Sequence, residues 1–125
     1  MTPSIPIDRV HAFVEPPAVL AEGAPHGPLA GLRLAVKDMI DVAGTVTGAG
    51  NPTFAASRQR ATRHATAVAR LVAAGATVIG KTITDEFAYS LSGTNVHFGM
   101  PTNVAARAGP RVVRRRGRRL PSPLV

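Results

Sequence analysis

Cysteine is absent from this sequence of 125 residues. That removes disulfides and thiolate metal sites and fits a reducing compartment. Aromatic residues make up only 4%, so the core has to be built from Ala, Val, Leu and Ile. No apolar run approaches the roughly 20 residues that a membrane span needs. The start, Met1 to Asp8, also lacks the basic residues and apolar stretch of a secretory signal. The expectation is a soluble, cytoplasmic protein without membrane contact. His11, His26, His64 and His97 are scattered without ligand spacing. Gly44 to Gly50 lacks the Gly-Lys-Ser/Thr ending of a phosphate loop. No metal and no cofactor is expected.

What is present is 45% apolar residues, enough for one small core in a chain of this length. Charge is distributed unevenly. Six of the fifteen basic residues (Arg111, Arg114, Arg115, Arg116, Arg118 and Arg119) lie in the last fifteen positions, and the remaining nine face seven acidic ones. Two compositions therefore meet near residue 108: a nearly neutral body and an arginine-rich tail over 107–125.

Within the body, prolines punctuate residues 1–27, so a short helix or extended segment is expected there, packed on the rest. Leu32 to Val36 is a short apolar run after Gly31 and reads as a buried strand. Gly44, Gly48, Gly50 and Pro52 mark an irregular stretch. Thr62 to Ala74 reads as a helix, with Ala65, Val68, Ala69, Val72 and Ala73 at three- and four-residue spacing, widened by Ala67 and Leu71. Thr62 is its expected N-cap and Gly75 its terminator. Ala76 to Ile79 reads as a second buried strand closed by Gly80, and Thr84 as the cap of a helix from Asp85 to Leu91. Strand, helix, strand with short connections is the pattern of a parallel sheet.

Lys37 stands at the carboxyl end of the first expected strand, where ligands gather in parallel sheets. A lysine partly desolvated there has its charged form disfavoured and can act as a general base. The alternative is an ion pair with Asp38 or Asp41. Lys81 is a second strand-end lysine, expected to pair with Asp85 or Glu86. Those two carboxylates are themselves adjacent and diverge on a helix, so they read as first-turn charges rather than as an acid–base pair.

The segment Pro28-Leu-Ala-Gly-Leu-Arg-Leu-Ala-Val-Lys-Asp-Met-Ile-Asp41 resembles the one that carries the catalytic lysine of amidase-signature enzymes. Gly75-Ala-Thr-Val-Ile-Gly-Lys-Thr-Ile-Thr-Asp-Glu-Phe-Ala-Tyr89 resembles that family's next strand and helix. Gly93-Thr-Asn-Val-His-Phe-Gly-Met-Pro-Thr-Asn103 resembles the loop leading into its glycine- and serine-rich signature. Tyr89-Ser90 and Asn95-x-His97 are similar to the indole-acetamide hydrolase-type amidases. The resemblance implies an α/β fold: the N-terminal portion of the amidase-signature fold, a mixed sheet with flanking helices, truncated here, with residues 1–106 as its body. It also implies hydrolysis of a small-molecule carboxylic amide to acid and ammonia without a cofactor. A lysine, a bridging serine and a nucleophilic serine do this work. Lys37 matches the lysine. The serines have no match, because Ser122 is the only serine after Ser92 and prolines flank it. A chain with the base and neither serine is expected to be inactive by itself.

The tail offers a reason for the missing serines. A frame shifted by one base joins the last base of each codon to the first two of the next. The CG of an arginine codon then ends a serine codon, and the GT of a valine codon ends a glycine codon. With third bases chosen, Pro110 to Ser122 reads as Pro-Gly-Gly-Ser-Ser-Ser-Gly-Ser-Ala-Val-Ala-Val, which resembles the missing signature. The tail is therefore expected to be out of frame and disordered, concentrated like charge being unable to bury a face. The alternative is a non-catalytic module whose basic tail contacts an acidic partner or nucleic acid. No aromatic residue interleaves the arginines to stack on bases, so no specific nucleic-acid site is expected.

Overall fold

Two short parallel strands and the segments laced to their edges carry this structure, a computed structural model that describes residues 4–105. The arginine-rich tail, Ser122 and the expected change of frame lie outside the described residues. Strand β1 (Arg33–Lys37) pairs in parallel with β2 (Thr77–Thr82), Arg33 opposite Thr77 and Lys37 opposite Thr82, with an irregularity between Leu34 and Ala35. The connection between them holds two helices, α1 (Pro52–Ala56) and α2 (Thr66–Ala73). A parallel pair needs such a crossover because its strands cannot be joined by a hairpin.

The N-terminal segment packs on the body as an extended chain, not as a helix. It runs antiparallel along the other edge of β2. Val14 N–H donates to the Lys81 carbonyl (2.9 Å), Ala18 to Ile79 (3.0 Å) and Leu20 to Val78 (2.8 Å). The prolines of this stretch cannot donate to such a ladder, which confines them to an outer position. Strand β2 is thus flanked on both sides, and all its residues but the last are buried. Parallel pairing on one edge and antiparallel contacts on the other make the arrangement mixed, as expected.

The core is aliphatic. Val36, Val42, Val68 and Val78 form its buried cluster, with Leu20, Leu34, Ala65 and Val72 packed against it. Helix α2 contributes a narrower stripe than its periodicity suggests: Val68 is buried and Val72 half-buried, while Ala67, Ala69, Leu71 and Ala73 are exposed.

Four expectations about element ends are corrected. Helix α2 begins at Thr66, with Ala65 rather than Thr62 at its cap position. Residues 61–65 are held by the 41–45 loop instead: Ala61 N–H reaches the Thr45 carbonyl, Ala65 N–H the Asp41 carbonyl, and His64 Nδ1 accepts from Ala43 N–H. Pro52 does not merely break structure, because it opens α1 behind an Asn51 cap that accepts Phe54 N–H at 2.8 Å. Proline suits that first position, where its missing N–H has no helical partner. Strand β2 does not stop at Gly80 but continues to Thr82, and a Cβ on Gly80 would lie 2.5 Å from the Phe13 ring. The helix expected from Asp85 to Leu91 shrinks to a single 3-10 turn, Glu86–Ala88, and Thr84 provides no cap to it. Phe87 and Ala88 both take positive φ, near 50°, which no right-handed helix continues. Gly75, by contrast, ends α2 at φ +106, as expected.

Candidate active site

Side chains along a strand alternate between faces, and β1 shows this alternation cleanly. Leu34, Val36 and Asp38 turn towards the interior, while Arg33, Ala35 and Lys37 are exposed. Lys37 is therefore at the carboxyl end of a strand, as its position in the sequence suggested, but the partial burial expected of it is not there. Among the described residues, no ion pair or hydrogen bond engages its ammonium.

The pairing of Lys37 with Asp38 or Asp41 is not formed either. Asp38 lies on the opposite face, 3% exposed, with Lys81 Nζ 3.1 Å from its Oδ1. Both Asp38 carboxylate oxygens also accept from Gly48 N–H at 3.2 Å. Asp41 accepts instead from Thr47 Oγ1 at 2.6 Å, and Thr47 Oγ1 in turn accepts from Lys81 Nζ at 3.2 Å. The register explains why Lys81 finds Asp38. On β2 it stands beside Val36, hence on the same face as Val36 and as Asp38, the residue that follows β1. Its expected pairing with Asp85 or Glu86 is thereby corrected. A buried ammonium is sustained by a buried carboxylate with further hydrogen bonds on both, the condition under which an interior ion pair is tolerated.

A cavity of about 300 Å³ opens over this ion pair, walled by Val14, Leu20, Val46 and Phe98 as well as by Asp38 and Lys81; Lys37 is not among its walls. A second cluster gathers at the 3-10 turn. Glu86 Oε1 accepts from Asn51 Nδ2 and lies 3.3 Å from His97 Nε2. Asn95 is buried and acts as a clasp. Its Nδ2 donates to the carbonyls of Gly50 (2.7 Å) and Thr84 (2.9 Å), and its Oδ1 accepts from His97 and Phe98 N–H. Asp85 is also buried, and its Oδ1 has no partner among the described residues. The hydroxyls of Ser90, Ser92 and Thr94 bond to one another, and Ser57 Oγ donates to the Phe54 carbonyl. None of these serines bonds to Lys37. Among the described residues no three His, Cys, Asp or Glu side chains could hold a metal, and no helix is long and apolar enough to cross a membrane.

Sequence reasoning missed the Asp38–Lys81 pair and the Asn95 clasp. The only sequence signal for the first was a lysine at or next to the end of each strand. The irregularity after Leu34 shifts the register by one residue, and that shift decides which lysine meets which carboxylate.

Comparison with known proteins places the chain in context. A model of the Amidase family matches residues 16–108. The outer envelope protein 64 of Arabidopsis thaliana chloroplasts is 47% identical over 100 residues, covering 80% of this chain and 17% of that protein. Amidase 1 of Oryza sativa subsp. japonica is 51% identical over 79 residues, covering 63% of this chain and 18% of the relative. The allophanate hydrolase of Kluyveromyces lactis superposes with a TM-score of 0.60 at 32% identity, over 77% of this chain and 17% of that one. The chain thus spans under a fifth of the length of these relatives.

Proposed function

The chain belongs to the amidase family, and on that premise we propose that Lys37 is the general base of an amide hydrolase. The observation that carries this reading is an ammonium at the carboxyl end of a sheet strand, free of every neighbouring carboxylate. As the family resemblance has it, the lysine takes the nucleophile's proton through a bridging serine. The serine oxygen attacks the amide carbon and nearby N–H groups stabilise the oxyanion. The C–N bond breaks, ammonia leaves with the proton returned from the lysine, and water then hydrolyses the acyl-serine to release the acid. A general base needs the neutral amine, and covering the exposed face of β1 would favour it, because burial disfavours the charged form. In this reading the bridging serine is encoded by the shifted frame beneath the arginine tail, and the nucleophile by the same frame some two dozen residues later.

The test begins with the nucleotide sequence through codons 103 to 125. Codons that do not spell the signature in the shifted frame remove the source of the bridging serine. With the frame restored, the protein and its Lys37→Ala counterpart are compared for ammonia release from a small primary amide, an aryl-acetamide first. Loss of the base is expected to slow hydrolysis by about 10²–10⁴-fold. Equal rates would refute the role of Lys37.

A second reading follows from the relative named as an outer envelope protein, whose name refers to location rather than to amide chemistry. In that reading the body is a non-catalytic interaction module whose basic tail contacts an acidic partner or nucleic acid. It predicts an unbroken natural reading frame through the arginines.

A further inference from the structure

The Asp38–Lys81 pair has no part in the chemistry outlined above, yet it sits one residue from the base. Lys37 and Asp38 are consecutive, of opposite charge type, and kept apart by the strand's alternation. Lys37 points out and Asp38 points in. An unpaired carboxylate has no reason to remain in an aliphatic interior, because an uncompensated buried charge is strongly destabilising. Asp38 stays inside because Lys81 Nζ meets it at 3.1 Å and Gly48 N–H donates to both its oxygens. Both partners are almost fully buried, at 8% and 4% side-chain exposure. Thr47 Oγ1 accepts a further hydrogen bond from Lys81 Nζ and joins the pair to the 41–48 loop.

We propose that Lys81 is a positioning residue for Lys37: by holding the Asp38 carboxylate on the interior face of β1, it keeps the neighbouring amine free of a counter-ion. The inference rests on Lys37 being the base, since a base bound to a carboxylate is held in its protonated form. Other charged groups near this end of the sheet are accounted for. Arg33 shares the exposed face of β1 at its far end. Asp41 is taken by Thr47. Lys81 is the only ionisable residue of β2. Glu15, on the segment along the other edge of β2, and Arg60, which donates to the Gly44 carbonyl, line the cavity, which Lys37 does not.

The experiment uses the 125-residue chain and does not depend on catalysis. Lys37 and Lys81 are the only lysines, so in Lys81→Gln an amine-selective acylating reagent meets only Lys37 and the N-terminus, separable by peptide mass. Glutamine keeps a hydrogen bond for Asp38 and removes the charge. Acylation of Lys37 is followed from pH 7 to 11 in the parent and in Lys81→Gln. In the variant the midpoint is expected to move upward and labelling at pH 8 to fall about fivefold, as a freed Asp38 pairs with Lys37. Unchanged labelling would overturn the proposal. If Lys81→Gln does not fold, the double variant Asp38→Asn with Lys81→Met replaces it. A parental midpoint then supports the proposal, whereas a lowered one shows that Asp38 already acted on Lys37 in the parent and overturns it. An amide hydrolysis assay can fail while this labelling result stands, so the two readings are separable.

Discussion

Truncating Val78 to alanine tests how the body is held together. Val78 is fully buried, at 0% exposure, within the cluster of Val36, Val42 and Val68. The change removes two methyl groups, which costs about 1.6 kcal/mol at about 0.8 kcal/mol per buried carbon. A residual cavity of roughly 40 Å³ adds about 1 kcal/mol at about 24 cal/mol per Å³. The expected loss is therefore about 2–3 kcal/mol. The backbone bonds of Val78, to Leu20 N–H and to the Ala21 carbonyl, both 2.8 Å, do not involve the side chain and remain. Val96→Ala is the control, since Val96 is 84% exposed and its truncation should cost less than about 0.5 kcal/mol. Urea unfolding followed by far-ultraviolet circular dichroism reads the difference. With a slope of about 1–1.5 kcal/mol per M, the Val78→Ala midpoint should fall by about 2 M. If the parent unfolds below that, an excluded osmolyte such as sucrose raises all three curves together. Equal midpoints for Val78→Ala and Val96→Ala would refute the assignment of the core to this cluster.

Two further outcomes are expected. At Gly23 a Cβ would lie 2.1 Å from the Gly75 carbonyl oxygen and 2.4 Å from its carbon. These are backbone atoms that cannot rotate away, so Gly23→Ala should lower stability by about 2 kcal/mol or more, and an unchanged thermal midpoint would contradict the close approach. At Asp8, burial raises the carboxyl's pKa, but N–H groups of Ala12, Phe13 and Val10 and the charge of His11 outweigh it and hold it below its ordinary 3.8. A depressed carboxylate contributes stability that is present above the ordinary value and lost as pH falls through the folded one. The Ala12 and Phe13 amide resonances should therefore titrate with a midpoint below 3.8, and Asp8→Asn should abolish that titration. A midpoint at or above the ordinary value would contradict the turn.

Local pattern determined a good part of this protein. The strand ending in Lys37, the helix closed by Gly75, the strand after Ala76 and an aliphatic core without aromatic filling all follow from periodicity, glycine placement and composition. These are short-range properties, set by residues close along the chain. The same holds for the family, since three ordered blocks of residues identify it without any contact being known. Tertiary structure decided the rest. Residues 61–65 gave their hydrogen bonds to the 41–45 loop and so started α2 late. Phe87 N–H went to the Ala49 carbonyl, and the last expected helix became a single turn. Above all, the register between β1 and β2, with its one-residue irregularity, set Lys81 against Asp38 and left Lys37 alone on the other face. Two lysines that look equivalent along the chain were given opposite surroundings, one buried in an ion pair and one exposed, because pairing between strands is a long-range choice that neither strand encodes by itself.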